Sequence, residues 1–134
     1  MAILIPTLTL SSTKGTTGVS EDATLALSVT DNLSVTDPSI GISRVACTNN
    51  GTDTEILPSA DVTRYLYIKN TGLDASDVAT TAHIKVETAN DYRIIDLAPD
   101  EFCFLPHHAE AAGIVQLETS AGTVVAEYAY WTKA

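Results

Sequence analysis

The stretch from Thr63 to Trp131 decides the fold. It reads as TRYLYIKN (63–70), TAHIKVET (81–88), DYRIID (91–96), EFCFLP (101–106), GIVQLET (113–119) and TVVAEYAYW (123–131). Each segment is short, alternating or solidly apolar, and bounded by Gly, Pro, Asn or Asp, the pattern of β-strands separated by tight turns. Tyr65, Tyr67 and Lys69 alternate with Leu66, Ile68 and Asn70. Ile84 and Val86 alternate with His83, Lys85 and Glu87. Turns this tight leave no room for a long active-site loop. The polar insertion LDASDVAT (73–80) has room for one helical turn, and no helix of ordinary length is expected.

Working outward, EFCFLP is expected to stop at Pro106, with HHAEAA (107–112) as a loop or short helical turn. GIVQLETSAGTVVAEYAYW reads as a hairpin turning at Ser120-Ala121-Gly122. Asn49-Asn50-Gly51 is the strongest hairpin signal, because Asn-Gly supplies the positive φ of a type I′ turn; it would join GISRVACTN to DTEIL. Turns are also expected at Asp31-Asn32, Ala89-Asn90-Asp91 and Ala98-Pro99-Asp100. Further upstream, ATLALSVT places Leu25, Leu27 and Val29 on one strand face. SSTKGTTGVSED (11–22) reads as a polar loop, and ILIPTLTL before it as an extended arm with Pro6 confining it to an edge. The whole predicts an all-β, single-domain antiparallel fold, a β-sandwich or jelly-roll-like arrangement or a small barrel, among which the hydrophobic pattern does not choose. An N-terminal arm and loop would occupy residues 1–20 and the sandwich residues 21–134.

All eight aromatic residues lie at or after Tyr65, so the second half is expected to supply the main core. Period two puts Tyr128 and Tyr130 on one strand face and Trp131 on the other. One face would pack inside and the other against another subunit. Tyr65, Tyr67, Phe102, Phe104, Tyr128, Tyr130 and Trp131 are therefore the candidates for core or subunit packing. In the arm, Ile3, Leu4, Ile5, Leu8 and Leu10 are the candidates for contact with a partner.

The chain has 134 residues, enough for one domain with its own core. Seven basic residues stand against seventeen acidic ones, a net charge of −10, and the basic residues are scattered singly. Without a Lys/Arg stripe there is no footprint for a phosphate backbone or an anionic membrane. Charged residues make up only 18% of the chain, below the usual ~25%, and Thr, Ser, Ala and Asn take their place. Such a surface suits burial against neighbours, though Thr on exposed strands gives the same composition. The start, MAILIPTLTLSS, has no basic region of the kind that opens a signal peptide. No apolar run approaches the ~18 residues of a spanning helix.

Chemistry-bearing motifs are few. Cys47 and Cys103 lack zinc spacing and read as buried free thiols, or as a disulfide if their strands are neighbours. His107 and His108, beside Glu110, are the one metal-like cluster, but adjacent residues on an extended chain point to opposite faces. No triad context, G-x-S-x-G elbow, phosphate loop or Rossmann fingerprint occurs. Asp31 to Asp37 lacks the Gly and Glu of a calcium loop. Neither an enzyme nor a cofactor is expected.

The segment from Arg64 to Trp131 resembles the small virion proteins of tailed bacteriophages. The resemblance lies in the strand end Tyr67-Ile68-Lys69-Asn70-Thr71-Gly72, the strand Ile84-Lys85-Val86, the turn Leu97-Ala98-Pro99-Asp100-Glu101-Phe102, the stop at Pro106, and the closing Val125-Ala126-Glu127-Tyr128-Ala129-Tyr130-Trp131. It covers about half the chain and is a pattern of strand ends. It implies a structural virion protein of the capsid decoration (cement) type, made in the host cytoplasm and placed on the capsid exterior. The implied partner is the major capsid protein, and the implied assembly is a homo-oligomer, often a trimer. A tail, neck or fibre component is the nearest alternative, and a carbohydrate-binding β-sandwich module, using Tyr128, Tyr130 and Trp131, is the other.

Overall fold

A computed structural model describes residues 2–11, 26–38, 41–49, 53–58, 60–88, 92–109 and 114–134. The described strands, in chain order, are β1 (Ala2–Leu4), β2 (Thr7–Ser11), β3 (Ala26–Thr30), β4 (Leu33–Pro38), β5 (Ser43–Thr48), β6 (Thr54–Leu57), β7 (Val62–Asn70), β8 (Ile84–Thr88), β9 (Arg93–Leu97), β10 (Phe102–Ala109), β11 (Val115–Thr119) and β12 (Thr123–Lys133). All pairings among them are antiparallel.

The last eight strands nest. β8 pairs with β9, β7 with β10, β6 with β11, and β5 with β12. The chain therefore runs as one long ribbon doubled back between β8 and β9. Successive pairs of the ribbon fall into two sheets, ordered β5-β12-β7-β10 and β6-β11-β8-β9, each sewn together by a central pairing, β12 with β7 and β11 with β8. That is the winding of a jelly roll. β4 pairs with the last residues of β12, and β1 pairs with β4, extending the first sheet to six strands. β2 and β3 form a separate two-stranded ribbon.

The core lies between the two large sheets. Cys47, Leu66, Ile68, Val124 and Ala126 come from one side, and Ile56, Leu57, Ile84, Val86, Leu97, Val115 and Leu117 from the other, with Ala82 beside them. Most of this cluster follows Tyr65, as expected, but it is aliphatic. Tyr128 and Tyr130 pack against it only partly buried. Branched aliphatics fit the pleated inner faces of facing sheets, and the remaining aromatics are turned outward.

Asn70 pins the two sheets together. It is completely buried at the end of β7. Its Nδ2 donates to the carbonyls of Ala82 (3.1 Å) and Leu97 (2.9 Å). Its Oδ1 accepts from the Gly72 amide at 2.9 Å. Every side-chain atom of this buried amide that can bond is thus satisfied, which is the condition for burying it. The turn next to it is also specified locally. The Glu101 amide donates to the Ala98 carbonyl at 3.1 Å, Pro99 holds the second position, and Asp100 takes φ 67°, the geometry of a type II turn.

Several local expectations are corrected. Pro106 does not end its strand: β10 continues to Ala109, so His107 and His108 are strand residues. Among the described strands β10 is the free edge of its sheet, where a residue without an N–H removes no ladder bond on the solvent side. The segments flanking Ser120-Ala121-Gly122 do not form a hairpin, because β11 and β12 belong to opposite sheets. The same holds for β5 and β6 around Asn49, with Asn50 and Gly51 outside the described residues. Residues 73–80 form no helical turn. The Asp74 Oδ1 accepts from the amides of Ser76 (2.8 Å) and Val78 (2.9 Å), and Leu73 bridges Ala79, an Asx-type turn.

The extended N-terminal arm is not confirmed. Where it was expected, β1 is an edge strand on β4, and β2 pairs with β3. The expected loop at 12–22, the 20/21 boundary, Leu25, the turn at 89–91 and residues 110–112 lie outside the described residues.

Candidate functional site: an aromatic sheet face

Period two decides what each sheet shows to solvent. On β7, Arg64, Leu66, Ile68 and Asn70 point inward, and Tyr65, Tyr67 and Lys69 outward. β10 lies alongside with Phe102 opposite Lys69, Phe104 opposite Tyr67, and Pro106 opposite Tyr65. On the other flank, Trp131 of β12 stands opposite Tyr65. Three adjacent strands therefore send Tyr65, Tyr67, Phe102, Phe104 and Trp131 to one outer surface. Tyr128 and Tyr130 stand opposite Ile68 and Leu66 and point inward.

The outer rings touch one another. Tyr65 and Phe104 are stacked, with centroids 6.1 Å apart and planes 10° from parallel. Phe104 meets Trp131 at 6.4 Å and Tyr67 meets Phe102 at 6.3 Å, both tilted. These spacings fall in the range where ring pairs gain about 0.5–1.5 kcal/mol beyond their burial. The surface is graded. Tyr65 is buried beneath its neighbours, while Phe102 is 61% exposed and Phe104 39%. Burial and the nearby Glu127 carboxylate both push the Tyr67 phenol above its ordinary value, so it stays a neutral hydroxyl on this face.

The outer face of the second sheet is the opposite in character. Lys85 Nζ meets Glu118 at 2.7 Å and Arg93 Nε meets Glu87 at 3.7 Å. Arg93 also reaches Asp96 at 3.2 Å, and His83 Nδ1 sits 2.8 Å from the same carboxylate. Gln116 Nε2 donates to Asp53. Carboxylate oxygens of Asp53, Glu87 and Glu118 lie within 4.8 Å of one another, which makes them the described side chains nearest to a cation-binding set. Lys85 and Arg93 already engage two of the three. Burial first, then the Glu118 charge, raises the Glu87 carboxyl above its ordinary value.

The remaining sequence candidates are dispersed. Ile3 (64% exposed), Ile5, Leu8 and Leu10 are exposed, and Leu4 is half-buried. Leu8 faces Val29 and Leu10 faces Leu27 across the β2–β3 ribbon, all four exposed. His107 points inward and His108 outward from β10. His108 Nδ1 contacts Thr63 Oγ1 at 2.9 Å, so the pair does not converge on one point. Cys47 and Cys103 are free thiols. They sit on β5 and β10, three strand spacings apart or roughly 14 Å, too far for a disulfide. Burial pushes both thiols up to about 11, which keeps them protonated and unreactive.

Sequence reasoning passed over Arg64 and Asn70. Both stand in phase with Leu66 and Ile68, and a polar residue in the inward phase of a strand is the signal that finds them. The acidic group assembles from separate segments of the chain and has no local signature. Comparison of the chain with protein-family models, curated proteins and solved structures finds no match.

Proposed function

We propose that this chain is a structural binding protein of the virion, a capsid decoration (cement) protein that docks on the major capsid protein through its aromatic sheet face. The observation that supports this reading is the row of touching rings on one sheet, Tyr65, Tyr67, Phe102, Phe104 and Trp131, in which Phe102 and Phe104 are exposed. Aromatic rings on a rigid sheet are the residues that dominate protein interfaces, and a contiguous exposed apolar patch marks a contact surface. The exposed Ile3, Ile5, Leu8 and Leu10 offer a second contact beside an open sheet edge, where a partner strand can add. Repeated copies on a lattice multiply modest contacts by avidity. The net charge of −10 suits the capsid exterior, away from packaged nucleic acid. In this reading the chain is not an enzyme, uses no cofactor, and assembles as a homotrimer.

The test is cosedimentation of the purified chain with expanded capsids of its own virion. The wild type is expected to bind, and the Phe104→Ala/Trp131→Ala double variant to lose binding while keeping its fold. Full binding by that variant overturns the role of this face. Deleting residues 1–10 removes β1 and most of β2, neither of which supplies a residue to the core cluster. The shortened chain is expected to fold and to bind more weakly. Assembly of the isolated chain into rings or rods would favour a tail, neck or fibre position instead.

A second reading is carbohydrate binding, favoured by the stacked Tyr65–Phe104 pair beside exposed rings, since flat aromatic faces stack on pyranose rings. The jelly roll hosts both capsid and lectin domains and does not choose between them. Glycan-array binding that disappears in Trp131→Ala would establish this reading.

A further inference from the structure

Arg64 is an inward-facing cation. It is only 8% exposed, at the start of β7, beside the connection that leads β6 into β7. Its Nη1 donates to the Pro58 carbonyl at 2.8 Å, and its Cζ lies 5.5 Å from the centroid of the Tyr130 ring. Its Nε is buried with no hydrogen-bond partner. Among the described residues no carboxylate pairs with it. Directly across the ladder stands His107, whose Nε2 is also buried without a partner. The hydroxyl-bearing Thr132 is its ladder neighbour on the other flank.

Buried guanidinium groups are ordinarily paired, because an unmet charge in a low-dielectric site is costly. Here one carbonyl and one ring face meet part of the guanidinium. Two unmet nitrogens remain on cross-strand partners whose Cβ atoms lie about 5 Å apart by strand geometry. A planar donor fork with an imidazole beside it is suited to a single oxyanion, since Arg recognises carboxylate and phosphate oxygens through parallel N–H bonds.

We propose that Arg64 and His107 form an anion site at this end of the jelly roll, taking one oxyanion, either a carboxylate or an inorganic phosphate. Arg64 Nε–H donates to one oxygen. His107 Nε2, in the tautomer that carries its proton there, donates to a second. The site is separate from the aromatic face, which lies on the other side of the same sheet, and it does not depend on the capsid reading.

The test is thermal melting of the full chain in phosphate, acetate or chloride at equal ionic strength, which removes general screening. Binding to the folded state alone raises the melting temperature. Phosphate or acetate is expected to raise it above the chloride value, and whichever anion does so assigns the source. The rise is expected to vanish in Arg64→Met, which keeps the stem, and to shrink in His107→Phe. No rise with either anion, or an equal rise in Arg64→Met, overturns the site. So does a Glu110→Gln variant destabilised as far as Arg64→Met, because the charge would then be met within the chain. Should Arg64→Met fail to fold, titration of the wild type with each anion, followed by the Arg64 Nε–H resonance, decides: a saturable shift supports the site, and an unmoved signal overturns it.

Discussion

The two large sheets turn opposite kinds of surface outward. On β6-β11-β8-β9 the outer face carries charges that meet one another: Lys85 with Glu118, and Arg93 with Glu87 and Asp96. On β10-β7-β12 it carries Phe102, Phe104, Tyr67, Tyr65 and Trp131. An antiparallel sheet with one face on the core ordinarily shows polar residues on the other. The β6-β11-β8-β9 sheet follows that pattern and the β10-β7-β12 sheet departs from it. Both rest on the same aliphatic core. The difference separates a face whose charges satisfy one another from one whose rings, Phe102 and Phe104 above all, stay exposed.

The sharpest way to break this contrast is to compare binding by variants of each face. Replacing an interface aromatic at a hot spot costs about 2 kcal/mol or more, roughly 30-fold in Kd. If the chain binds capsids as proposed, Phe104→Ala/Trp131→Ala is expected to lose at least that much affinity, and Lys85→Ala/Glu118→Gln next to none. Equal losses, measured side by side by cosedimentation, would mean that the two faces do not differ in role.

Next in size is the joint between the sheets. Asn70→Ala leaves the Ala82 and Leu97 carbonyls and the Gly72 amide without their buried partners. The expected cost is about 2–4 kcal/mol, read from urea denaturation. A loss below about 1 kcal/mol would show that the core holds the sheets together without it.

The inner side of the aromatic sheet has a pH response. Burial, His108 and Arg64 together hold the His107 imidazole below its ordinary value. A folded-state pKa below the unfolded one means that the native state resists protonation. Stability is therefore expected to fall as pH drops through the ordinary histidine range, about 6.5, and below it. His107→Gln should flatten that limb of the stability–pH curve, and an unchanged limb would assign it to other groups.

The charged face responds in the opposite direction, and least. Glu87 has a raised folded-state value, so its contribution is most favourable when protonated and declines as pH rises through the carboxylate range. Glu87→Gln, which also gives up the Arg93 pair, is expected to be slightly more stable than wild type near neutral pH. The two should converge in acid, where Glu87 carries its proton. A destabilised variant at neutral pH would mean that the Arg93 pair outweighs the burial.

Strands and their facing were legible because both are local. Leu66, Ile68 and Asn70 alternate with Tyr65, Tyr67 and Lys69 in the sequence and on β7 alike, and Trp131 parts from Tyr128 and Tyr130 by the same parity. Pro106 was misread because a proline's effect depends on whether its strand lies at an edge, which is a property of the sheet. The aromatic face was half legible. The candidate rings could be named, but which shared a surface depended on β10, β7 and β12 being neighbours.

By itself, the sequence determined an all-β chain, the approximate places of its strands and turns, and which residues of each strand share a side. The reason is that side-chain alternation and turn chemistry act over a few residues. The tertiary structure alone decided which strands pair. Turn residues around Asn49, Pro99 and Gly122 make the chain reverse, but each reversal carries it into the opposite sheet rather than into a hairpin. Partners such as β5 and β12 lie almost the length of the domain apart, and they are selected by the shared burial of two inner faces. The same selection gathered five rings onto one surface and set Arg64 beside His107, and neither grouping is written in any single stretch of the chain.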